Sequence, residues 1–260
     1  MERKYMFNDV PNEYDKFRPG YPRELFADII EFSSIHKNSS ILEIGCGTGQ
    51  ATQGFVDFGY KNITCVELGK NLADFTAEKY KDEPAIRVHN ASFEEWDSKN
   101  LEFDVAISAT AFHFINPQIG YPKVFDLLKP NGTMAFFWTV HVQVYDDLHN
   151  KIRELYAKYA PGLDDSIKPT PSKVIENTFN TINSAGLFKF IEIKEYMWDH
   201  KYSSDEYISL LNTHSKHRQL DEETRQLLFS GIKEIIDCYG GFINKPQLVA
   251  LFLSRKQDEF

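Results

Sequence analysis

Glu43, Gly45, Gly47 and Gly49 fall within the stretch ILEIGCGTGQ (residues 41–50), and their types and spacing suit a loop that cradles an adenosine cofactor. Ile41, Leu42 and Ile44 form a short apolar run fit for a strand buried on both faces of a parallel sheet. The three glycines then remove side chains where the backbone must turn and approach a ligand. A nicotinamide-dinucleotide fingerprint, Gly-x-Gly-x-x-Gly, would place its third glycine at position 50; here Gln50 stands there and the glycine has moved to 49. Glu43 is a second departure. A carboxylate beside a pyrophosphate gains nothing, whereas one beside a cofactor carrying a sulfonium and an ammonium attracts both.

Glu67 adds the ribose end of such a site. After a helix expected from Gln50 to about Phe58, NITCV (residues 62–66) reads as the next strand and ends on Glu67, about 20 residues beyond the glycine loop, where a carboxylate accepts the ribose hydroxyls. The ordered set Glu43-x-Gly45-x-Gly47-x-Gly49 and Glu67 resembles class I S-adenosylmethionine-dependent methyltransferases. Within them, YDKFRPGYP (residues 14–22) and SATAFHF (residues 108–114) resemble the type-11 group that contains trans-aconitate and quinone-biosynthesis methyltransferases. The resemblance covers roughly residues 10–140.

The resemblance implies S-adenosylmethionine as cofactor and transfer of its methyl group to a small-molecule acceptor by direct displacement. It places the methionine part of the cofactor against Gly45, Cys46, Gly47 and Gly49, and the ribose against Glu67 and Leu68. Asn90, Ala91, Ser92 and Phe93 follow the third strand, where an acidic residue commonly meets the adenine amino group; the Asn90 amide oxygen can accept the same bond. Ser108 and Ala109 are expected beneath the transferable methyl. Tyr14, Arg18 and Tyr21 lie in a segment expected to fold over the cofactor, with Arg18 meeting its carboxylate. Substrate contacts are expected from Tyr21, Phe112, His113, Trp138 and His141. The rings of Phe112 and Phe114 have two readings, cation–π partners of the sulfonium or core packing. His113 likewise reads either as a base, since imidazole titrates near neutral pH, or as a residue that only touches substrate. The methylated atom stays open among oxygen, nitrogen and carbon. Two other functions compete: a nicotinamide oxidoreductase, and a cofactor-binding protein without turnover.

His214 and His217 share a helix face at i, i+3, a spacing a metal accepts, but no third ligand completes a site; both are expected in solvent and no metal is expected. The 260 residues carry a formal charge of −9, so no broad basic surface exists to neutralise a phosphate backbone, and nucleic acid is not expected as a partner. Hydrophobic content of 42% and aromatic content of 14% suffice for a packed core. Cys46, Cys65 and Cys238 form no CxxC pair, no membrane-length apolar run occurs, and the N-terminus lacks a signal-peptide pattern; a cytoplasmic protein is expected.

The elements that must position these residues alternate. Strands are expected at about 40–45, 62–67, 85–89, 103–108 and 133–139, separated by helix-length segments, with a helix at 22–33 in front and a helix 116–128 ending in the turn Lys129-Pro130-Asn131-Gly132. Helices follow at 144–159, 172–185, 204–217 and 221–238, with strands at 188–197 and 247–254. The expected fold is an α/β, Rossmann-like, doubly wound seven-stranded sheet with the last strand antiparallel and helical cap insertions. It forms one methyltransferase domain: 1–38 as N-terminal lid and helix, 39–140 as cofactor-binding core, 141–187 and 203–240 as cap over the strand ends, and 188–197 and 247–254 as final strands.

Overall fold

A computed structural model describes residues 11–257. Two compact units emerge. A sheet unit holds Gly20–Thr139, Ile175–Tyr196 and the residues from Val249; a helical unit holds the described residues up to Pro19, Val140–Val174 and Met197–Leu248.

The strands are β1 (Ile41–Ile44), β2 (Ile63–Glu67), β3 (Ile86–Asn90), β4 (Phe103–Ala109), β5 (Leu128–Val140), β6 (Phe188–Ser203) and β7 (Phe242–Lys256). They form one seven-stranded sheet in the order β3-β2-β1-β4-β5-β7-β6, with β1 to β5 parallel and the last strand antiparallel. Every position of β1 and β2 is buried, as suits the mainly apolar residues of interior parallel strands. The order reverses between β1 and β4, so the loops after these two strands diverge and leave a crevice at their carboxyl ends. Register carries the candidate residues to that end together: Glu43 lies beside Cys65 and Ile107, and Glu67 lies beside Asn90.

Helix α2 (Arg23–Ser33) buries Leu25, Phe26 and Ile29, and the Phe26 ring meets Phe55 of α3 (Gln50–Asp57) edge-on at 5.3 Å. Helix α4 (Lys70–Lys79) follows β2, and α5 (Pro117–Leu127) starts where the Asn116 side chain accepts the Gln118 N–H at 3.0 Å. The turn expected at 129–132 is absorbed into β5. Asn131 adopts φ +60°, and pairing jumps from Phe103 with Leu128 to Val105 with Thr133, so the turn residues form a wide bulge inside the strand.

The helical unit contains α1 (Pro11–Phe17), α6 (Asp147–Tyr159), α8 (Ser204–Asn212), α9 (Ser215–Arg218) and α10 (Glu222–Cys238); α7 (Pro171–Ser184) passes from this unit into the sheet unit. Ile152, Tyr156, Leu210, Leu211, Leu228 and Ile232 build its core. Asp146 and Asp221 cap α6 and α10 through their carboxylates, which sets the start of α6 at 147 rather than the expected 144. The single helix expected over 204–217 is broken: Thr213 turns its hydroxyl back to the Leu210 carbonyl at 2.6 Å and separates α8 from α9. Strands β6 and β7 extend well beyond the expected 188–197 and 247–254.

Candidate active site

The glycine loop after β1 runs through positive φ at Gly45 (+71°), Gly47 (+56°) and Gly49 (+78°), a region that side chains with a Cβ rarely occupy. Gly45 is also needed sterically, because a Cβ there would sit 2.4 Å from the Ala111 Cβ. That near-contact joins the glycine loop to the loop after β4. Gly47 is the opposite case: a Cβ would meet nothing within 4 Å, so its backbone borders open ground.

The Glu67 carboxylate, almost wholly buried, clamps this loop. Its Oε2 accepts the Gly47 N–H at 2.9 Å and its Oε1 accepts the Gly69 N–H at 2.7 Å. Burial raises its pKa and the amide bonds act against that. From behind, α4 holds the same loop by its carbonyls: Thr76 Oγ1 donates to Gly47 O at 2.7 Å and Lys79 Nζ to Thr48 O at 3.2 Å, while Tyr80, which caps the helix, donates its hydroxyl to Gly49 O at 2.9 Å. Sequence reasoning missed this clasp. Its signal was present, two hydroxyl side chains at i, i+4 towards the end of the helix that follows the strand ending on Glu67.

Glu43 is 1% exposed, and Thr52 Oγ1 of α3 donates to its Oε2 at 2.5 Å. Among the described residues its Oε1 has no hydrogen-bond partner, and neither has the buried Thr48 Oγ1 in the loop itself. Burial pushes the Glu43 carboxyl from the usual 4.5 up to about 8, helped by the neighbouring charge of Glu67 and opposed by Thr52 and Lys79. A buried acceptor and a buried hydroxyl left unpartnered beside a loop that borders open ground fit a ligand carrying both a cationic donor and a carboxylate.

The other expected residues divide. Asn90 is exposed at the end of β3; its Nδ2 donates to the Glu67 and Leu68 carbonyls, both at 3.0 Å, and its Oδ1 makes no bond among the described residues. Ala91 and Ser92 are half-buried beside it. Ala109 is half-buried where β4 enters the loop, and His113 is exposed, its ring 4.0 Å from that of Phe114. Tyr21 lies edge-on to Phe137 at 4.8 Å, with its hydroxyl 3.4 Å from Thr110 Oγ1, which anchors the strained Thr110 (φ +55°).

Other expected residues turn their side chains inward, and of the two readings of Phe112 the structure supports core packing. Phe112 is core: it is 2% exposed and packs against Phe136 at 4.4 Å and Tyr121 at 4.9 Å, and Phe93, also buried, backs it at 6.4 Å. The Ser108 hydroxyl is fully buried and donates to the Ile44 carbonyl at 2.8 Å, so it ties β4 to β1. The Cys46 side chain is buried. Trp138 is half-buried and lies edge-on to Phe252 at 5.6 Å.

Arg18 and His141 belong to the helical unit. Arg18 donates to Thr213 Oγ1 at 2.9 Å and to its carbonyl at 3.3 Å. His141 is not grouped with the residues after β4: its Nε2 lies 2.9 Å from Asp165, which also holds Arg153 at 2.7 Å, and burial keeps the imidazole pKa low despite that carboxylate. The Tyr14 side chain lies outside the described part of the chain. His214 and His217 overturn the expectation of solvent exposure: His217 is 8% exposed and shares a hydrogen bond with Tyr156 at 2.8 Å, and burial pushes its pKa down to about 4.

A family described as methyltransferase domain matches residues 41–132, from β1 into β5. An uncharacterized methyltransferase of Schizosaccharomyces pombe is 24% identical over 226 residues, 86% of this chain and 84% of the relative. A Saccharomyces cerevisiae protein named "Probable S-adenosylmethionine-dependent methyltransferase" is 31% identical over 157 residues, 58% of this chain and 52% of the relative. Among solved structures, Haemonchus contortus phosphoethanolamine N-methyltransferase 2, in complex with phosphomonomethylethanolamine and S-adenosylhomocysteine, shares the fold at 15% identity and a TM-score of 0.58, over 99% of this chain and 61% of that one. These matches support an S-adenosylmethionine-dependent methyltransferase, and the strand order and glycine loop are similar to those of the class I fold. S-adenosylmethionine is its methyl donor.

Proposed function

We propose that the cofactor is held in the sheet unit by the glycine loop, Glu43, Glu67, Leu68 and the residues from Asn90 to Phe93, and that the methyl group passes to a small organic acceptor. The observation that carries this reading is the Glu67 carboxylate bonded to Gly47 and Gly69, next to the unpartnered Glu43 Oε1 and Thr48 Oγ1. When bound, the cofactor supplies an electrophilic methyl on a sulfonium. The chain's own residues then position: Glu43 meets the cationic end, Thr48 its carboxylate, Glu67 the ribose hydroxyls, and Asn90 Oδ1 the adenine amino group. In-line displacement draws mainly on alignment. His113, exposed on the loop that touches the glycine loop through Ala111, takes a proton from a hydroxyl or amine acceptor or orients it.

The formal charge of −9 supports a small-molecule acceptor over nucleic acid. Among the described residues no helix is long and apolar enough to cross a membrane. The three free cysteines support a cytoplasmic protein. The chain is read as one methyltransferase domain, since β6 and β7 each run from one unit into the other.

Calorimetry with S-adenosylhomocysteine and with NAD tests the cofactor site; binding of NAD alone would refute it. Radiolabelled methyl transfer to small acids, phenols and amines, set against tRNA, rRNA and protein, tests the acceptor. Label on RNA or protein in preference to every small molecule refutes the acceptor reading. His113→Ala is expected to lower turnover far more than cofactor affinity.

A further inference from the structure

Between β3 and β4 the chain leaves Asn90 and makes a single turn before it reaches Trp96. Ser92 starts that turn: its Oγ accepts the Glu95 N–H at 3.2 Å, and its carbonyl accepts the Glu95 and Trp96 N–H groups at 3.2 and 2.9 Å. One turn is too short to satisfy its own last carbonyls, and among the described residues no backbone N–H meets those of Glu94 or Trp96. A single side chain from a distant element takes both. Lys123 Nζ of α5 donates to Trp96 O at 2.5 Å and to Glu94 O at 3.2 Å.

This lysine is half-buried, and burial lowers its pKa while the charges of Glu94 and Asp97 act against that. Its ammonium also stands over the Phe93 ring, 5.3 Å from the ring centre. Phe93 and Trp96 are buried: the Phe93 ring lies 6.4 Å from Phe112, and the Trp96 ring 5.5 Å from His89 and 6.5 Å from Phe103. These rings anchor the side chains of the turn, but a ring in a core leaves the peptide groups beside it free to rotate. The backbone is tied at its two ends. Asn90 Nδ2 holds the Glu67 and Leu68 carbonyls where the segment begins, and Lys123 holds the Glu94 and Trp96 carbonyls where it closes. Charge-assisted bonds to two carbonyls from one half-buried ammonium fix where the intervening peptide groups lie more firmly than solvent does.

We propose that Lys123 is a positioning residue of the cofactor site: by holding the Glu94 and Trp96 carbonyls it sets the turn after β3 so that Asn90 Oδ1 and the backbone of Ala91–Phe93 meet the adenine ring. This role presupposes that Asn90–Phe93 receive the adenine, as proposed above for the cofactor. Lys123 acts through the turn and makes no contact of its own with the cofactor, because its ammonium is already occupied by the two carbonyls. Its loss falls on recognition of the adenine ring and leaves the glycine loop, held by Glu67 and α4, as it was.

The test is calorimetric titration of the full chain, parent and Lys123→Met, with S-adenosylhomocysteine and with S-inosylhomocysteine, in which a carbonyl replaces the adenine amino group. The parent is expected to prefer S-adenosylhomocysteine roughly tenfold or more, since Asn90 Oδ1 accepts from an amino group and finds no donor in a carbonyl. Lys123→Met keeps the apolar stem beside Phe93 and removes the donor. It is expected to bind S-adenosylhomocysteine several-fold more weakly and to lose most of the preference, because a turn no longer held at its end stops presenting one fixed acceptor. General loosening of the fold would weaken both ligands by the same factor and leave the preference unaltered; that result, or an unchanged affinity for both, overturns the role of Lys123. Lys123→Gln, with a neutral donor on a shorter stem, carries the same comparison if Lys123→Met does not fold. A parent that binds both ligands equally refutes instead the placing of adenine at Asn90, so the two failures are told apart.

Discussion

Replacing Glu43 with glutamine probes a strongly perturbed carboxyl beside the glycine loop. The carboxyl is fully enclosed between β1 and α3, and burial raises it from 4.5 to about 8. In the unfolded chain it ionises near 4.5, so between that value and about 8 the folded state holds a proton that the unfolded state has released. A group raised in this way contributes stability that is fully present below pH 4.5 and is lost as pH rises toward 8. From pH 5 to 7.5 that is about two and a half pH units at roughly 1.4 kcal/mol each, or about 3 kcal/mol. Glutamine keeps the shape, retains an oxygen to accept from Thr52, and cannot ionise. Urea denaturation of both proteins at the two pH values isolates the effect, since every other titrating group cancels in the difference. The two should be nearly equal in stability at pH 5, and Glu43→Gln should lead by about 3 kcal/mol at pH 7.5. Its gain in melting temperature on adding S-adenosylhomocysteine should be smaller, because the amide cannot ionise against the cofactor's ammonium as the carboxyl can. Parallel pH profiles for the two proteins would refute the reasoning, for they would mean that Glu43 ionises as readily in the fold as out of it.

Gly45→Ala and Gly47→Ala should separate stability from binding. Both incur about 1–2 kcal/mol for a Cβ at positive φ, but the Gly45 variant adds about 1–3 kcal/mol for its collision with Ala111, while the Gly47 variant loses mainly cofactor affinity; equal denaturation midpoints for the two would contradict this. Glu67→Ala should cost about 1–3 kcal/mol of S-adenosylhomocysteine binding by calorimetry, because the loop loses its clamp as well as the ribose acceptor; an unchanged affinity would remove Glu67 from the site. Asp165 is held well below the usual carboxylate range: burial opposes its ionisation, and the His141 and Arg153 bonds outweigh it. Its contribution should therefore be present at neutral pH and be lost on acidification. Asp165→Asn should lower the melting temperature at pH 7 and flatten its fall toward acid, and an unaltered acid limb would count against that pairing.

Features set by short-range constraints were legible in the residues themselves. A loop that must run through left-handed backbone needs glycine at those positions, so Gly45, Gly47 and Gly49 announce it. Interior parallel strands are rich in apolar residues, so β1, β2 and β4 read within a residue or two of their positions, and the spacing from glycine loop to Glu67 follows from one strand–helix–strand passage. The tertiary structure decided which atoms of these residues are already occupied. Glu43 signals a cation partner in sequence, but only the packing of α3 on β1 shows that Thr52 takes one oxygen and leaves the other unpartnered. Phe112 and Ser108 stand in a loop and strand end that face the crevice by sequence, yet their neighbours Phe136 and Ile44 come from adjacent strands and draw them into the core. His214 and His217 sit at a spacing that marks a helix face, and a face carries no information about its cover. Burial there depends on Tyr156, 61 residues away, and Arg18 is fixed by Thr213, 195 residues away. Contacts across such separations are set by how the elements pack, and no local pattern of residue types encodes them.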